Sequence, residues 1–351
     1  MKRFIAMLLA IVMVFALAAC GGAASQPAQS AEAPAQSANT EAAPETITIK
    51  FAHGFPSAEL ICTMLDKWMA LVTERTDGVV QWDYYPGGSM GSITELMEQA
   101  DLGAIDCTLT DTSQLQNLCD MYGILYYPFL MQSYDHQMKV LNDDAIMAKF
   151  NEALAEQTNL YAVGYCVNGQ RNICTTKLIT NLDDCKGVVL RVPEIQVYKD
   201  TASLLGMAPT AIAYNDAYTA VSTGVCEGLE VPNTSMYPGG FYQVAPYILK
   251  SGHMFASCAV EFNQDVWNSY PEEIRQIMVD TYKEVSEEYT AQIEAADEEY
   301  YKLYLEAGCT VSDWDDPSAP AAACEDYWLT SAEKLSPDAV EVVKAIVALR
   351  S

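Results

Sequence analysis

Positive charge is what this chain lacks most. Nineteen lysines and arginines stand against forty-seven aspartates and glutamates over 351 residues, a formal net charge of −28. That balance excludes nucleic acid, and anionic lipid held through a basic face, as partners. It leaves room for a small anion, because surface charge is screened over roughly 8 Å at physiological salt and a buried site answers to its local charges. Histidine is scarcer still: only His53, His136 and His253 occur, none in H-E-x-x-H spacing, and no C-x-x-C pair is present. A zinc site is not expected on those counts, nor any other metal or cofactor. No internal repeat is visible.

What is present begins with an apolar fraction of 50%, enough for a sizeable core. Lys2 and Arg3 precede an unbroken apolar run and then small residues ending at Cys20, the layout of a secretory leader. The run is about fifteen residues, short for the competing reading of a membrane-spanning anchor. Its end, Leu17-Ala18-Ala19-Cys20, resembles a bacterial lipobox, which implies a lipidated Cys20. Residues 21–45, rich in Ala, Ser, Gln and Pro, cannot bury a core and read as a flexible linker. Loss of Lys2 and Arg3 with the leader takes the mature charge to −28 − 2 = −30. Ten further cysteines sit mostly among apolar neighbours and read as buried free thiols rather than bridges.

From Thr46 the sequence alternates. ITIKFAH reads as a strand, SAELICTMLDKWMALVTERTDG as a helix closed by Gly78, and VVQWDYY as a second strand. That succession implies parallel pairing and an α/β class. SITELMEQADLG follows as a helix, with Ser92 and Glu95 at capping-box spacing. AIDCTLTD, NLYAVGYCVNG and GVVLRVP read as further strands, and EIQVYKDTASLLG and NDAYTAVSTG as helices ending at Gly206 and Gly224. From Pro271 to about Gly308 apolar and aromatic residues recur at near-helical spacing, with proline suited to the first turn. At about 1.5 Å per residue this one helix would extend roughly 55 Å, long enough to serve two domains.

Several residue types carry candidate chemistry. Gly87-Gly88-Ser89-Met90-Gly91 matches G-x-S-x-G between a predicted strand and a predicted helix, the setting of a hydrolase nucleophile elbow. An ordinary turn competes, since Pro86 and paired glycines describe one and no second motif supplies an acid or histidine. Arg171, in VNGQRNICTT, and Arg191, in GVVLRVPEI, both follow strand-like runs. A guanidinium stays charged and donates two parallel hydrogen bonds to one carboxylate, so each is a candidate receptor for an acid, with a structural ion pair as the alternative. Tyr214 is a candidate pocket wall or helix-start packing residue. Asp111, Glu194 and Glu230 either face a ligand or act as caps and surface acids.

In order along the chain, YYPGGSMGSITELMEQADLGAIDCT, YYPFLMQSYDHQMKVLN, LDDCKGVVLRVPE and LGMAPTAIAYNDAYTAVSTGVCEGLEVP resemble segments of the DctP-like substrate-binding proteins of TRAP transporters, over nearly the whole mature chain. The resemblance implies an α/β, two-domain periplasmic-binding-protein-like fold with a ligand cleft between domains and a long helix spanning both. It divides the chain into a leader 1–20, a linker 21–45, domain I of 46–168 plus about 257–290, and domain II of 169–256 plus about 291–351. It makes Arg191 the arginine that grips a ligand carboxylate and Arg171 its support, and places Tyr214, Asp111, His53 and Glu230 at ligand-binding positions.

Three residues depart from the family pattern: Glu194 after R-V-P and Val231 after G-L-E, where asparagines occur, and Glu227 for the usual aspartate before Gly228. Glu194 and Asp111 in the cleft would favour a ligand with an amine or several hydroxyls over a plain dicarboxylate, because extra carboxylates would be repelled. Val231 and the tyrosines would suit an apolar monocarboxylate. The resulting expectation is an extracytoplasmic solute-binding lipoprotein, not an enzyme. It would be lipid-anchored through Cys20 to the bacterial cell membrane and deliver a small organic-acid anion to the membrane subunits of a TRAP transporter. A ligand-presenting sensory receptor and a Ser89-dependent hydrolase are the alternatives.

Overall fold

A computed structural model describes residues 46–350, so the leader, Cys20 and the whole of the linker lie outside the described residues. The strands are β1 (Ile47–His53), β2 (Val80–Tyr85), β3 (Cys107–Asp111), β4 (Leu160–Thr175), β5 (Val189–Val192), β6 (Ala208–Ala211), β7 (Gly228–Pro232), β8 (Tyr247–Asn263) and β9 (Thr310–Ser312). They form one sheet in the order β2-β1-β3-β8-β4-β7-β5-β6, with β9 beside β8. β1 pairs in parallel with β2 and β3, and β5 in parallel with β6 and β7. Two parallel wings, one in each domain, therefore flank a central antiparallel pair.

That central pair, β4 and β8, is long because it belongs to both wings. β8 pairs with β3 near its end, from Cys258 to Phe262, and with β9 near its start, from Tyr247 to Leu249. β4 crosses in the opposite sense, and its register against β8 breaks between Val167 and Gly169 and again between Arg171 and Ile173. The strand predicted to stop at Gly169 instead continues to Thr175, because this glycine forms a bulge at φ 114°, a conformation that side chains disfavour. Arg171 thereby sits inside a strand rather than after one.

The helix predicted from Pro271 runs from Glu272 to Glu306, with Glu272 and Glu273 favourably placed in its positive first turn. Met278, Tyr282, Val285, Tyr289 and Ile293 join the larger of two apolar cores, while Tyr301 and Tyr304 join the smaller one under β7. One helix thus cements both domains, each large buried side chain contributing roughly 1.5–3 kcal/mol. The Ser92–Glu95 capping box forms in both directions at the start of the helix Ile93–Asp101. All ten described cysteines are buried and free.

Candidate functional site: an anion cleft between the wings

Both wings contribute the carboxyl ends of parallel strands to one chamber, the usual place for a ligand in an open α/β sheet. Asp111 ends β3, Arg191 lies in β5 just before Pro193, and Val231 and Pro232 end β7. With Asn168, Arg171, Tyr198, Tyr214 and Ser235 they enclose a space of about 50 Å³. An adjoining mouth of about 280 Å³ lies between Ser92, Ile93 and Gln114 on one side and Arg191, Glu194, Tyr214 and Asn215 on the other. Arg191 and Tyr214 border both spaces.

The two arginines are in opposite electrostatic situations. Arg171 donates from Nε to Glu230 Oε2 at 2.6 Å and from Nη2 to Oε1 at 3.0 Å, a forked pair across β4 and β7. Its Nη2 also reaches the Glu230 carbonyl, and its Nη1 stands 3.4 Å from Asp111 Oδ2, while the guanidinium lies over the Tyr198 ring at 4.7 Å. Burial works against the charge of Arg171, but Glu230 and Asp111 outweigh it and hold the group firmly protonated. Burial likewise opposes the charge of Glu230, yet Arg171 and His253 keep its carboxyl below the ordinary range.

Arg191 has no such partner. Its Nε donates to the Ile212 carbonyl at 2.8 Å, the side chain is 2% exposed, and among the described residues no carboxylate stands within ion-pair distance. Burial lowers its pKa to about 10 despite the attraction of Glu230. A buried charge without a counter-ion is expensive, and an anion entering the chamber supplies one.

Asp111 is committed elsewhere: Oδ1 accepts from Ser113 N at 3.0 Å, Ser113 Oγ at 2.5 Å and Tyr126 Oη at 2.6 Å. Glu230 sits behind Arg171 and does not line the chamber. Glu194 is exposed at the outer mouth and forms no ion pair with Arg191. His53, fully buried at the end of β1, lies beneath Phe55, which lines the chamber; its Nδ1 accepts from Phe55 N, and burial lowers its pKa to about 4. The structure therefore gathers Asp111, Arg171, Arg191, Tyr214 and Val231 around one space and leaves His53, Glu194 and Glu230 outside it.

Ser89 lies exposed in the turn after β2, where Gly87 and Gly88 have φ near 71° and 73° and Gly88 N donates to the His53 carbonyl at 2.9 Å; among the described residues no histidine side chain bonds the Ser89 hydroxyl. Sequence reading missed Phe55, Asn168, Tyr198, Ser235 and Glu59. Ser113 and Gln114, missed likewise, lie within three residues of Asp111 at the end of β3, so the tendency of ligands to sit beyond strand ends could have found them; Asn168 and Ser235 carry no local signal.

The sequence profile of the bacterial extracellular solute-binding protein family 7 matches residues 51–333. A solute-binding protein of Sulfitobacter sp. is 29% identical over 276 residues, 78% of this chain and 82% of that protein. The C4-dicarboxylate-binding protein DctB of Bacillus subtilis is 28% identical over 244 residues, 69% of each. Among solved structures, a TRAP periplasmic solute-binding protein of Sulfitobacter sp. with bound alpha-D-taluronate superposes with a TM-score of 0.80 at 26% identity, covering 86% of this chain and 97% of that one. One from Actinobacillus succinogenes with bound L-galactonate gives 0.79 at 27%, covering 86% and 99%. The sheet, the shared helix and these matches together place the chain in the DctP family, the extracytoplasmic solute-binding components of TRAP transporters.

Proposed function

We propose that this protein captures a small, hydroxylated monocarboxylate between its two domains and hands it to the membrane subunits of a TRAP transporter. The observation that carries the reading is the buried, unpaired guanidinium of Arg191 beside a neutralised Arg171. Arg191 takes the ligand carboxylate; two arginines against Glu230, Asp111 and one ligand anion leave a single net negative charge beside the chamber, which a second ligand carboxylate would double. Asn168, Ser113 and Gln114 offer hydrogen bonds to hydroxyl groups, and Tyr214 and Val231 supply apolar walls. The sugar acids in the two related structures have this chemistry.

The hinge runs through β4 near Gly169 and through β8 near Ser257, giving domain I as 46–168 plus about 257–290 and domain II as 169–256 plus about 291–351. Cys20 anchors the mature chain, and the linker lets it reach the transporter. A thermal-shift screen of L-galactonate, taluronate, glucuronate and C4 dicarboxylates tests the reading. Sugar acids should raise the melting temperature, as about 2.7 kcal/mol of added stability is available at a hundred times the dissociation constant. Arg191→Ala should remove the rise while unfolding remains cooperative; an unchanged rise in that variant would sink the assignment.

A further inference from the structure

Glu59 occupies the cap position of the helix Leu60–Arg75 yet makes no side-chain cap bond. Its carboxyl instead crosses the cleft. Oε1 accepts from Tyr214 Oη at 2.9 Å and Oε2 from Ser235 Oγ at 2.8 Å, joining the loop after β1 in domain I to two separate segments of domain II. Tyr214 and Ser235 both line the chamber, so Glu59 holds two of its walls without itself lining it.

The side chain is 3% exposed and has no ion-pair partner among the described residues. Around it stand the Tyr214 and Ser235 hydroxyls, Asp111 from β3, Cys62 on its own helix, Cys258 on β8, and Tyr289 and Tyr300 on the long helix. None of these is cationic, and Asp111 repels a second negative charge. Burial is the first cause that lifts its pKa to about 7 from an ordinary 4.5, against the lowering effect of the two hydroxyls. A hydroxyl accepts from a protonated carboxyl as readily as it donates to an ionised one, so the cross-cleft link survives protonation.

The chamber holds about 50 Å³ and Arg191 is 2% exposed, so a sugar acid enters only when the domains part. Parting separates Glu59 from Tyr214 and Ser235 and returns it to water. We propose that Glu59 is a positioning residue for capture: closing the cleft draws a proton onto its carboxyl, which then ties Tyr214 and Ser235 to domain I. This rests on the cleft-binding reading above and adds proton coupling to it. Between pH 4.5 and about 7 the closed form binds more protons than the open one, so closure strengthens as pH falls through that window.

Calorimetry of the mature chain with L-galactonate and taluronate at pH 6, in buffers of different ionisation enthalpy, reads the proton directly. The wild type should take up about half to one proton per ligand bound, and its affinity should fall up to about tenfold per pH unit from 5.5 to 7. Glu59→Gln and Glu59→Met, which cannot titrate, should take up none and bind with little pH dependence. Equal uptake in wild type and variants, or none in the wild type, overturns the proposal. Should neither ligand bind, the capture reading fails for these acids, and small-angle scattering of the protein alone decides on Glu59. The wild type should then be more compact at pH 5.5 than at pH 8, whereas both variants should show no such change. The same pH response in all three overturns it.

Discussion

Arg171 and Glu230 form a forked ion pair in which Nε and Nη2 of the guanidinium each meet one carboxylate oxygen, at 2.6 and 3.0 Å, with both side chains almost wholly buried. The pair occupies the geometry a ligand carboxylate would need, so of the two chamber arginines Arg191 is the one without a carboxylate partner among the described residues. It also locks β4 to β7 next to the chamber.

Removing one member of that pair should be costly. Glu230→Ala leaves Arg171 with only the longer, 3.4 Å ion pair to Asp111 and should destabilise the protein by about 3–5 kcal/mol. The joint replacement Arg171→Met with Glu230→Leu should recover most of the loss, since the Arg171 charge is removed together with its partner. Urea unfolding of the three proteins measures both; a Glu230→Ala variant as stable as wild type would contradict the structural role.

Arg191→Lys separates charge from shape. A lysine keeps the positive charge but loses the planar fork and the Nε bond to Ile212, so the charge alone is not equivalent. Affinity for L-galactonate should fall by about 1.5–3 kcal/mol, roughly ten- to hundredfold, without abolition. Calorimetric titration distinguishes this from the complete loss expected of Arg191→Ala.

Asp297 gives a pH dependence of stability independent of ligand. It sits on the long helix, accepts from Tyr134 Oη and from Asn233 Nδ2 at 3.1 Å, and so ties the two sides of the molecule together. Burial raises its pKa to about 6 from 3.8, against the lowering effect of those donors. The folded form thus holds the proton more tightly than the unfolded one. Its stabilisation is complete below about pH 4 and is lost as pH rises through 6. Asp297→Asn should flatten the decline in melting temperature between pH 4.5 and 7 relative to wild type.

Gly228 is fixed by space rather than by backbone angle. A Cβ there would lie 2.3 Å from the Cys174 carbonyl oxygen and 2.6 Å from Thr175 Cγ2, where β7 runs against β4. The first obstacle is backbone, so relief requires strand movement. Gly228→Ala should cost about 2 kcal/mol or more, read from chemical unfolding, and should weaken ligand binding because Glu230 and Val231 follow two and three residues on.

Sequence by itself determined the class of the fold and several of its elements, though not the long central strand β8. Strand and helix periods, the Ser92–Glu95 capping box and the 35-residue helix are local patterns, legible because propensity and spacing act over a few residues. It also brought forward both arginines, since charge is conspicuous in so acidic a chain. What it could not give was which arginine is spent. That depends on Glu230, fifty-nine positions away from Arg171, arriving on a neighbouring strand, while Glu194, three positions from Arg191, stays exposed. The same holds for Glu59, whose partners Tyr214 and Ser235 are 155 and 176 positions distant. Ion pairing and desolvation are decided by which groups share a buried volume, and only the tertiary structure specifies that.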